Sequence, residues 1–130
     1  MKVTKKIAIT DSLVSSYADL TGDKNPIHLD ESYAKKTIFK KRIAHGMLVS
    51  SFISSIIAND FPGEGSIYLS QELKFLKPCY IGDELEYVVK QVKRVKSKFY
   101  LSTQVYNGNG YLILDGFAVV MNKITNNKND

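Results

Sequence analysis

The sequence predicts an α+β fold in which a curved antiparallel β-sheet wraps around one long central helix. Three observations support this class. An uncharged segment with helical periodicity covers residues 44–59, the period changes to the alternation of strands after residue 63, and short turns separate the later segments. One uncharged helix and four or five antiparallel strands pack most simply when the sheet curls around the helix.

The composition indicates one folded domain over residues 1–130. Of these residues, 44% are hydrophobic and 24% are charged, so the chain can bury a core and is not disordered. Cys79 is the single cysteine and cannot form an intramolecular disulfide, which predicts a reducing, cytoplasmic setting. The uncharged stretch of residues 46–59 is too short to span a membrane, so no membrane partner is expected.

The net charge of +5 comes mainly from lysine, which supplies 16 of the 18 basic residues. The lysine runs, including the one that ends at Arg42, are interrupted by apolar residues, and we interpret them as solvated faces. Proteins that bind nucleic acids more often show arginine or aromatic clusters within a motif; because neither occurs here, no nucleic-acid partner is expected. The alternative is that the lysines attract a phosphorylated small molecule.

A short strand over residues 4–10 and a helix after it are predicted at the start of the chain. Asp11 or Ser12 is placed to cap this helix. The helix is expected to end at Thr21–Gly22, because glycine adopts the left-handed conformation that closes helices.

Residues 23–30 are predicted to form an ordered turn that carries polar side chains. Pro26 disfavours helical geometry at Asn25, the residue before it. Asp30 is placed to cap a brief helix over residues 30–36.

The long helix predicted over residues 44–59 carries two uncharged stripes, one large and apolar and one small. Their members are Val49, Phe52, Ile53, Ile56 and Ile57 for the first, and Ser50, Ser51, Ser54, Ser55 and Ala58 for the second. Such a helix belongs inside a protein, where its small side lets a backbone or an elongated ligand approach. Its first residues leave free backbone N–H groups at the positive end of the helix dipole.

Four antiparallel strands are predicted after this helix, over residues 67–75, 84–95, 99–106 and 111–122. The first alternates between apolar and polar residues and is expected to be half-buried. The last is apolar on both faces, which favours cover by the helix on one face and by other protein on the second. Dimerisation is one way to supply that cover. Residues 124–130 are predicted to be a frayed polar tail.

Asp23 and His28 stand five residues apart across the polar turn. Such a turn can bring a carboxylate and an imidazole towards one point, where they could hold a water molecule and exchange its protons. Capping or a structural hydrogen bond is the alternative for both residues. The backbone N–H of Gly46 is a candidate donor to an oxyanion at the start of the long helix, and a steric need for glycine is its alternative.

Several segments of the chain resemble the hydratase motif of the MaoC-like, (R)-specific enoyl-CoA hydratases. They are Tyr17 to Asp30 (YADLTGDKNPIHLD), Ala34, Phe39, Ile43 to Leu48 (IAHGML), Gly65 to Gln71 (GSIYLSQ), Leu73, Phe75, Pro78 and Ile81 to Glu84 (IGDE). The similarity covers roughly residues 13–90 in register, so a chance match is excluded.

The resemblance implies a hot-dog fold that hydrates trans-2-enoyl thioesters reversibly to (R)-3-hydroxyacyl thioesters. By position, Asp23 and His28 match the catalytic pair and Asn25 matches the asparagine beside it. Gly46 matches the residue whose N–H contacts the thioester carbonyl, and Ser54 matches a serine near the acyl pocket. No metal, flavin or nucleotide cofactor is implied. The expected partners are an acyl-CoA or acyl-carrier-protein substrate and further copies of the chain, as a homodimer or a dimer of dimers.

Two other functions are consistent with the same fold. Related hot-dog proteins are thioesterases, and others bind acyl thioesters without turnover or serve as dehydratase partner subunits. Among single residues, His45 is expected to have a structural role at the helix entry, and Cys79 is not expected to be a nucleophile. No recognised ligand spacing supports a metal site built from Asp23, His28, Asp30 and His45.

Overall fold

The computed structural model describes residues 1–124, which form one antiparallel sheet and four helices. The elements are, in chain order, β1 (Lys2–Ala8), α1 (Asp11–Thr21), α2 (Pro26–Leu29), α3 (Glu31–Lys35), α4 (Gly46–Asn59), β2 (Ile67–Phe75), β3 (Glu84–Val95), β4 (Lys98–Tyr106) and β5 (Leu112–Met121). The strand order is β1-β3-β4-β5-β2. The predicted α+β class is confirmed. Most of the predicted frayed tail, residues 125–130, lies outside the described residues.

Helix α4 packs its apolar side against the sheet and forms the centre of the core. Val49, Ile53 and Ile57 are almost completely buried, as the periodicity predicts. The hydroxyl group of Tyr87 on β3 donates a 2.6 Å hydrogen bond to the carbonyl oxygen of Val49, which joins the helix to the sheet. Each large apolar side chain buried in this way stabilises the fold by about 1.5–3 kcal/mol.

The small side of α4 is largely uncovered in the single chain. Ser50 is buried and its hydroxyl group donates to the carbonyl oxygen of Met47. Ser51, Ser54 and Ser55 are exposed. The prediction that both sides of this helix lie inside the protein is therefore wrong for one chain, because a single five-stranded sheet covers only one side.

Helix α1 is capped by Thr10, so the prediction of Asp11 or Ser12 as the cap is wrong by one or two residues. The Thr10 backbone is extended, and its hydroxyl group accepts the N–H of Leu13 at 3.2 Å. Asp11 lies in the first helical turn instead, where its carboxylate interacts favourably with the helix dipole. The helix ends before Gly22, whose φ of 81° is left-handed, as predicted.

The polar turn is shorter than predicted, because the four-residue helix α2 follows it. Pro26 is the first residue of this helix, where its missing N–H has no helical partner to lose. Asn25 is non-helical, as predicted, and caps α2. Asp30 caps α3, also as predicted, since its carboxylate accepts the N–H of Tyr33 at 3.1 Å.

Strands β1 and β2 form the two edges of the sheet. The half-burial predicted for β2 is wrong for the single chain: Ile67, Leu69 and Phe75 are 59%, 46% and 52% exposed. A bulge between Tyr68 and Ser70 also interrupts its pairing with β5. The alternation of apolar and polar residues correctly predicts a strand here. Its apolar side chains are less buried than expected because an edge strand has a neighbouring strand on one side only.

The three central strands agree with their predicted ranges within one residue at either end. Strand β5 buries Leu114, Ala118 and Val120, while its other face is partly exposed. Within residues 1–124, no helix is both long and apolar enough to cross a membrane.

Candidate active site

The polar turn that carries Asp23 is held by its own side chains. The Asp23 carboxylate accepts the N–H of Asn25 at 3.3 Å, and the hydroxyl group of Thr21 accepts the N–H of Asp23 at 3.2 Å. The amide oxygen of Asn25 accepts the N–H of Ile27 at 3.4 Å, at the start of α2. Asp and Asn suit such turns because their short side chains bond to the backbone two residues ahead. The sequence leaves open a structural hydrogen bond as the role of Asp23, and the structure contains such a bond within the turn.

His28 lies on α2 and is 9% exposed. Its Nδ1 lies 2.7 Å from the carbonyl oxygen of Ile43. Because a carbonyl oxygen can only accept, Nδ1 carries the hydrogen, and Nε2 of the neutral ring is a proton acceptor. The fold thus presents His28 in the tautomer that a general base requires.

Asp23, His28 and His45 meet at one point. A carboxylate oxygen of Asp23 and one ring nitrogen of each histidine lie within 4.8 Å of one another. The two imidazole rings stack, with centroids 3.9 Å apart. Both histidines are buried, whereas Asp23 is exposed in the single chain. The structure therefore brings together the two residues predicted to hold a water molecule.

The pKa of His28 is lowered from its ordinary value of 6.5. Burial is the largest cause, because a surrounding of low dielectric disfavours the charged imidazolium. The hydrogen bond to the Ile43 carbonyl oxygen opposes this shift, His45 lowers the pKa further, and the Asp23 carboxylate raises it. The net direction keeps the His28 ring neutral at neutral pH.

An apolar cavity of about 470 Å³ lies beside His28 and reaches the start of α4. Both His28 and Gly46 line this cavity. Most of the other lining side chains are large and apolar: Phe39, Ile43, Met47, Val49, Phe75, Leu76, Ile113 and Leu114. A cavity of this size and character is typical of small-molecule sites with a few polar groups at one end.

Gly46 is the first residue of α4, and its surroundings leave no room for a side chain. A Cβ atom at this position would lie 2.8 Å from Cε1 of Phe75 on β2. The steric need for glycine is therefore present. The backbone N–H belongs to the first helical turn, which has no acceptor within the helix, so it is available as a donor at the positive end of α4.

Ser54 lies apart from this group. It is exposed on the small side of α4, about two turns after Gly46. Of the residues that the structure describes, neither Ser54 nor Asn25 lines the cavity. The substrate-binding roles of both residues stay predictions.

Cys79 lines the cavity, but its chemistry does not favour attack on a substrate. Burial, with a smaller contribution from Asp83, raises the pKa of its thiol to about 12. The thiol is therefore protonated at neutral pH and is a poor nucleophile, as expected from the sequence.

Arg42 contributes to this site in a way that sequence reasoning missed. It was predicted to belong to a solvated basic run, yet its side chain is only 17% exposed. Its Nε donates to the carbonyl oxygen of His28 at 2.8 Å, and its guanidinium group pairs with Asp11 at 2.7 Å. The sequence contained one signal for this role, because only two of its 18 basic residues are arginines. A planar guanidinium group suits two directed hydrogen bonds, which a lysine cannot make in the same way.

The cluster of Asp23, His28 and His45 also has the donor types of a metal site, with one ligand atom of each residue within 4.8 Å of the others. The two imidazole rings are stacked at a tilt of 31°. One nitrogen of each ring already lies within hydrogen-bond distance of a backbone carbonyl oxygen. That no metal is required stays a prediction.

A larger groove of about 1050 Å³ adjoins the cavity, and Lys77 and Pro78 line both. Its charged lining residues are Lys6, Lys41, Lys77, Asp83, Glu84 and Glu86. Because the acidic residues balance the basic ones, this groove is not a strongly positive patch.

Comparison with known proteins identifies relatives across most of the chain. Residues 1–109 match the model of the MaoC-like domain family. The chain is 40% identical over 109 residues to the (R)-specific enoyl-CoA hydratase of Aeromonas caviae, with 82% of this chain and 81% of that protein covered. It is 39% identical over 113 residues to a mitochondrial 3-hydroxyacyl-[acyl-carrier-protein] dehydratase of Arabidopsis thaliana, with 83% and 67% covered.

The fold has a close counterpart among solved structures. An R-hydratase from Pseudomonas aeruginosa in its unliganded form superposes with a TM-score of 0.90 at 39% sequence identity. The superposition covers 94% of this chain and 79% of that chain. The hot-dog fold implied by the sequence resemblance is confirmed.

Proposed function

Since this chain belongs to the MaoC-like domain family, we propose that it is an (R)-specific enoyl-CoA hydratase. Such an enzyme adds water reversibly to a trans-2-enoyl-CoA and forms the (R)-3-hydroxyacyl-CoA. One observation carries the proposal: His28 and Gly46 line the same apolar cavity, and the Asp23 carboxylate lies within 4.8 Å of a His28 ring nitrogen. The cavity would hold the acyl chain, with the polar groups at the reacting end.

The proposed reaction begins with a water molecule held between Asp23 and His28. Two hydrogen bonds of about 2.8 Å to one oxygen span roughly 4.5 Å between their outer atoms. This span is close to the separation of up to 4.8 Å within the cluster. The carboxylate orients the water by accepting one hydrogen bond, and Nε2 of His28 accepts the proton as the oxygen attacks C3.

The Gly46 N–H is proposed to polarise the carbonyl group of the thioester. As the C3–O bond forms, the electron pair of the C2=C3 double bond moves towards this carbonyl, and the amide stabilises the enolate-like charge. The Asp23–His28 pair then returns a proton to C2 from the same side. One pair on one face therefore determines both the syn geometry and the hand of the product.

Asn25 and Ser54 are assigned supporting roles. Asn25 caps α2 and so holds the helix that presents His28. Ser54 is proposed to face the acyl chain, which requires a second protein surface to cover the exposed side of α4.

Substitution of either residue that is proposed to hold the water molecule tests the proposal. Asp23→Asn and His28→Ala are each expected to reduce hydration of a short trans-2-enoyl-CoA by about 1000-fold or more, because the reacting water loses an orienting group or its base. The measurement is the loss of enoyl absorbance, with chiral analysis of the product. Ser16→Ala, at an exposed residue of α1 and outside the cavity lining, is the control and is expected to keep the wild-type rate.

The same assay separates the two alternative functions. Release of free CoA thiol by the wild type would identify a thioesterase. Binding of the enoyl-CoA with no loss of its absorbance would instead identify an acyl-thioester binding module or a dehydratase partner subunit.

The carrier of the substrate is CoA or acyl carrier protein in the relatives, as their names state. For this chain we propose an acyl-CoA or acyl-carrier-protein thioester. Comparison of kcat/KM for one acyl group on both carriers distinguishes them.

We also propose that the chain forms a homodimer, as a pair or within a dimer of dimers, in the cytoplasm. Edge strand β2 exposes large apolar side chains and carries two charged residues, Glu72 and Lys74, whereas edge strand β1 carries three lysines, Lys2, Lys5 and Lys6. Charged edges discourage strand pairing, and apolar edges favour it. The buried, unpaired thiol of Cys79 suits a reducing compartment.

A further inference from the structure

His45 is 2% exposed and makes a directed hydrogen bond to the turn that carries Asp23. Its Nε2 lies 3.0 Å from the backbone carbonyl oxygen of Asp23. A carbonyl oxygen only accepts, so Nε2 carries the hydrogen and donates it, and Nδ1 of the neutral ring has a lone pair. This bond ties the Asp23 main chain to the entry of α4.

The ring of His45 also packs against the proposed base. Its centroid lies 3.9 Å from that of His28 and 4.8 Å from that of Tyr17. The Nδ1 edge of the His28 ring is also held by the Ile43 carbonyl oxygen. The His28 ring is therefore fixed by a stacked imidazole and by a hydrogen bond to the backbone.

The main chain of His45 determines where Gly46 begins the helix. His45 is the N-cap of α4, and its carbonyl oxygen accepts the N–H of Val49 at 3.2 Å. The preceding N–H, of Ala44, donates to the carbonyl oxygen of Cys79 at 2.8 Å. The corner that carries the Gly46 amide is thus anchored on both sides of His45.

Packing alone does not account for a histidine here. Its Nδ1 is buried without a hydrogen-bond partner, the one such side-chain nitrogen or oxygen among residues 1–124. A phenylalanine would keep an aromatic ring beside His28 and would avoid this unpaired atom, which costs free energy. What histidine adds over phenylalanine is the Nε2–H bond to the Asp23 carbonyl oxygen.

We propose that His45 is a positioning residue of the hydration reaction, which sets the separation between the Asp23–His28 pair and the Gly46 amide. This inference rests on the proposed function. Through one residue, the main chain places the oxyanion donor and the side chain places both holders of the water. A change in this separation would misalign water attack at C3 with charge stabilisation at the carbonyl, and small misplacements of this kind are costly in rate.

Two substitutions of His45 separate positioning from packing. His45→Phe keeps the stacked ring but removes the donor, and we expect kcat to fall about 10- to 100-fold with KM within about twofold of the wild-type value. Its thermal unfolding midpoint is expected to stay near that of the wild type, because removal of the unpaired nitrogen offsets the loss of one hydrogen bond. His45→Gln places an amide donor close to the position of Nε2 and is expected to recover most of kcat.

Val120→Ala is the matched control for destabilisation. Val120 is fully buried on β5, away from the cavity lining, so this variant should unfold at a lower temperature and keep its kcat. The proposal is overturned if His45→Phe keeps kcat within about threefold of the wild type. It is equally overturned if His45→Gln and His45→Phe lose the same activity and the same stability, since that result describes packing only.

A readout without turnover distinguishes failure of this inference from failure of the proposed function. The chain has two histidines, so ring-nitrogen correlations of the ¹⁵N-labelled protein assign both tautomers, with His45→Phe leaving only the His28 signals. We expect hydrogen on Nε2 of His45 and on Nδ1 of His28, and shifted amide resonances of Asp23 and Gly46 in His45→Phe.

Hydrogen on Nδ1 of His45, or unchanged amide resonances in His45→Phe, overturns the inference even in an active enzyme. If the wild type has no hydratase activity, the proposed function fails and His45 positions no hydration. In that case the tautomers and amide shifts still show whether the hydrogen bond between His45 and the Asp23 carbonyl oxygen exists.

Discussion

At the scale of single residues, the protonation of His28 connects the fold to the chemistry. Burial lowers its pKa in the folded chain from an ordinary value of 6.5, so the unfolded chain binds more protons below that pH. The corresponding stability is present above pH 6.5 and is lost as the pH falls through the lower pKa of the folded state.

We therefore predict that acidification below pH 6.5 reduces the free energy of unfolding more in the wild type than in His28→Gln. Urea unfolding at a series of pH values measures this difference, and the variant corrects for the carboxylates, which titrate in both proteins. Parallel curves for the two proteins would show that the His28 pKa is the same folded and unfolded. The hydration rate is expected to fall over the same range, because a protonated ring cannot accept a proton from water.

At the scale of elements, the contact between the start of α4 and the end of β2 shapes the cavity. Gly46 and Phe75 both line the cavity, and a Cβ atom on Gly46 would come within 2.8 Å of the Phe75 ring. Phe75 is 52% exposed, so its ring can move without disturbing the core. A larger residue at this corner should therefore change substrate binding and turnover more than it changes the stability of the fold.

Gly46→Ala is predicted to reduce kcat/KM for a short enoyl-CoA by about 10- to 100-fold while the unfolding midpoint stays near that of the wild type. The displaced Phe75 ring lines the space proposed for the acyl group. Phe75→Leu, made alone and combined with Gly46→Ala, forms a double-mutant cycle in which the smaller side chain is expected to restore much of the activity. Additive losses in the two variants would mean that this contact is not the cause.

The boundaries of the helices and strands show which elements can be predicted from local sequence signals alone. The strand β3 and helix α4 lie within two residues of their predicted ranges, because turns and a sustained period define them. The N-cap of α1 was missed because Thr10, Asp11 and Ser12 are all good caps, and only the backbone conformation selects one. The helix α2 was missed because four residues are too few to show a period.

At the scale of the whole molecule, apolar surface remains uncovered on β2, and the serine-rich small side of α4 is also uncovered. The outer edge of β2 and the exposed Ile67 and Leu69 offer a surface for a second copy. Ser54 lies on the uncovered side of α4, so the proposed contact with the acyl chain depends on the same assembly.

Sedimentation of the wild type is predicted to give twice the chain mass of 14.6 kDa or a multiple of that pair. Leu69→Lys should shift the mass to that of one chain, because a lysine on the apolar part of this edge strand opposes pairing. Leu69 lies in the bulge and has no Cα partner on β5, so little is lost within the chain. Ile38→Lys, at a residue 88% exposed and outside the sheet, is the control and should leave the mass unchanged. A single-chain mass for the wild type would contradict the homodimer.

The α+β class, the central helix and its buried stripe follow from the sequence by itself, because period and turn residues are local properties. The choice of Asp23, His28 and Gly46 as candidates also comes from residue types and from the likeness of their motif to a known family. Only the tertiary structure decided that these residues meet, that Arg42 and His45 support them, and that Ser54 lies elsewhere. Those relations join residues distant in the chain, and they depend on how α2, α4 and the sheet pack against one another.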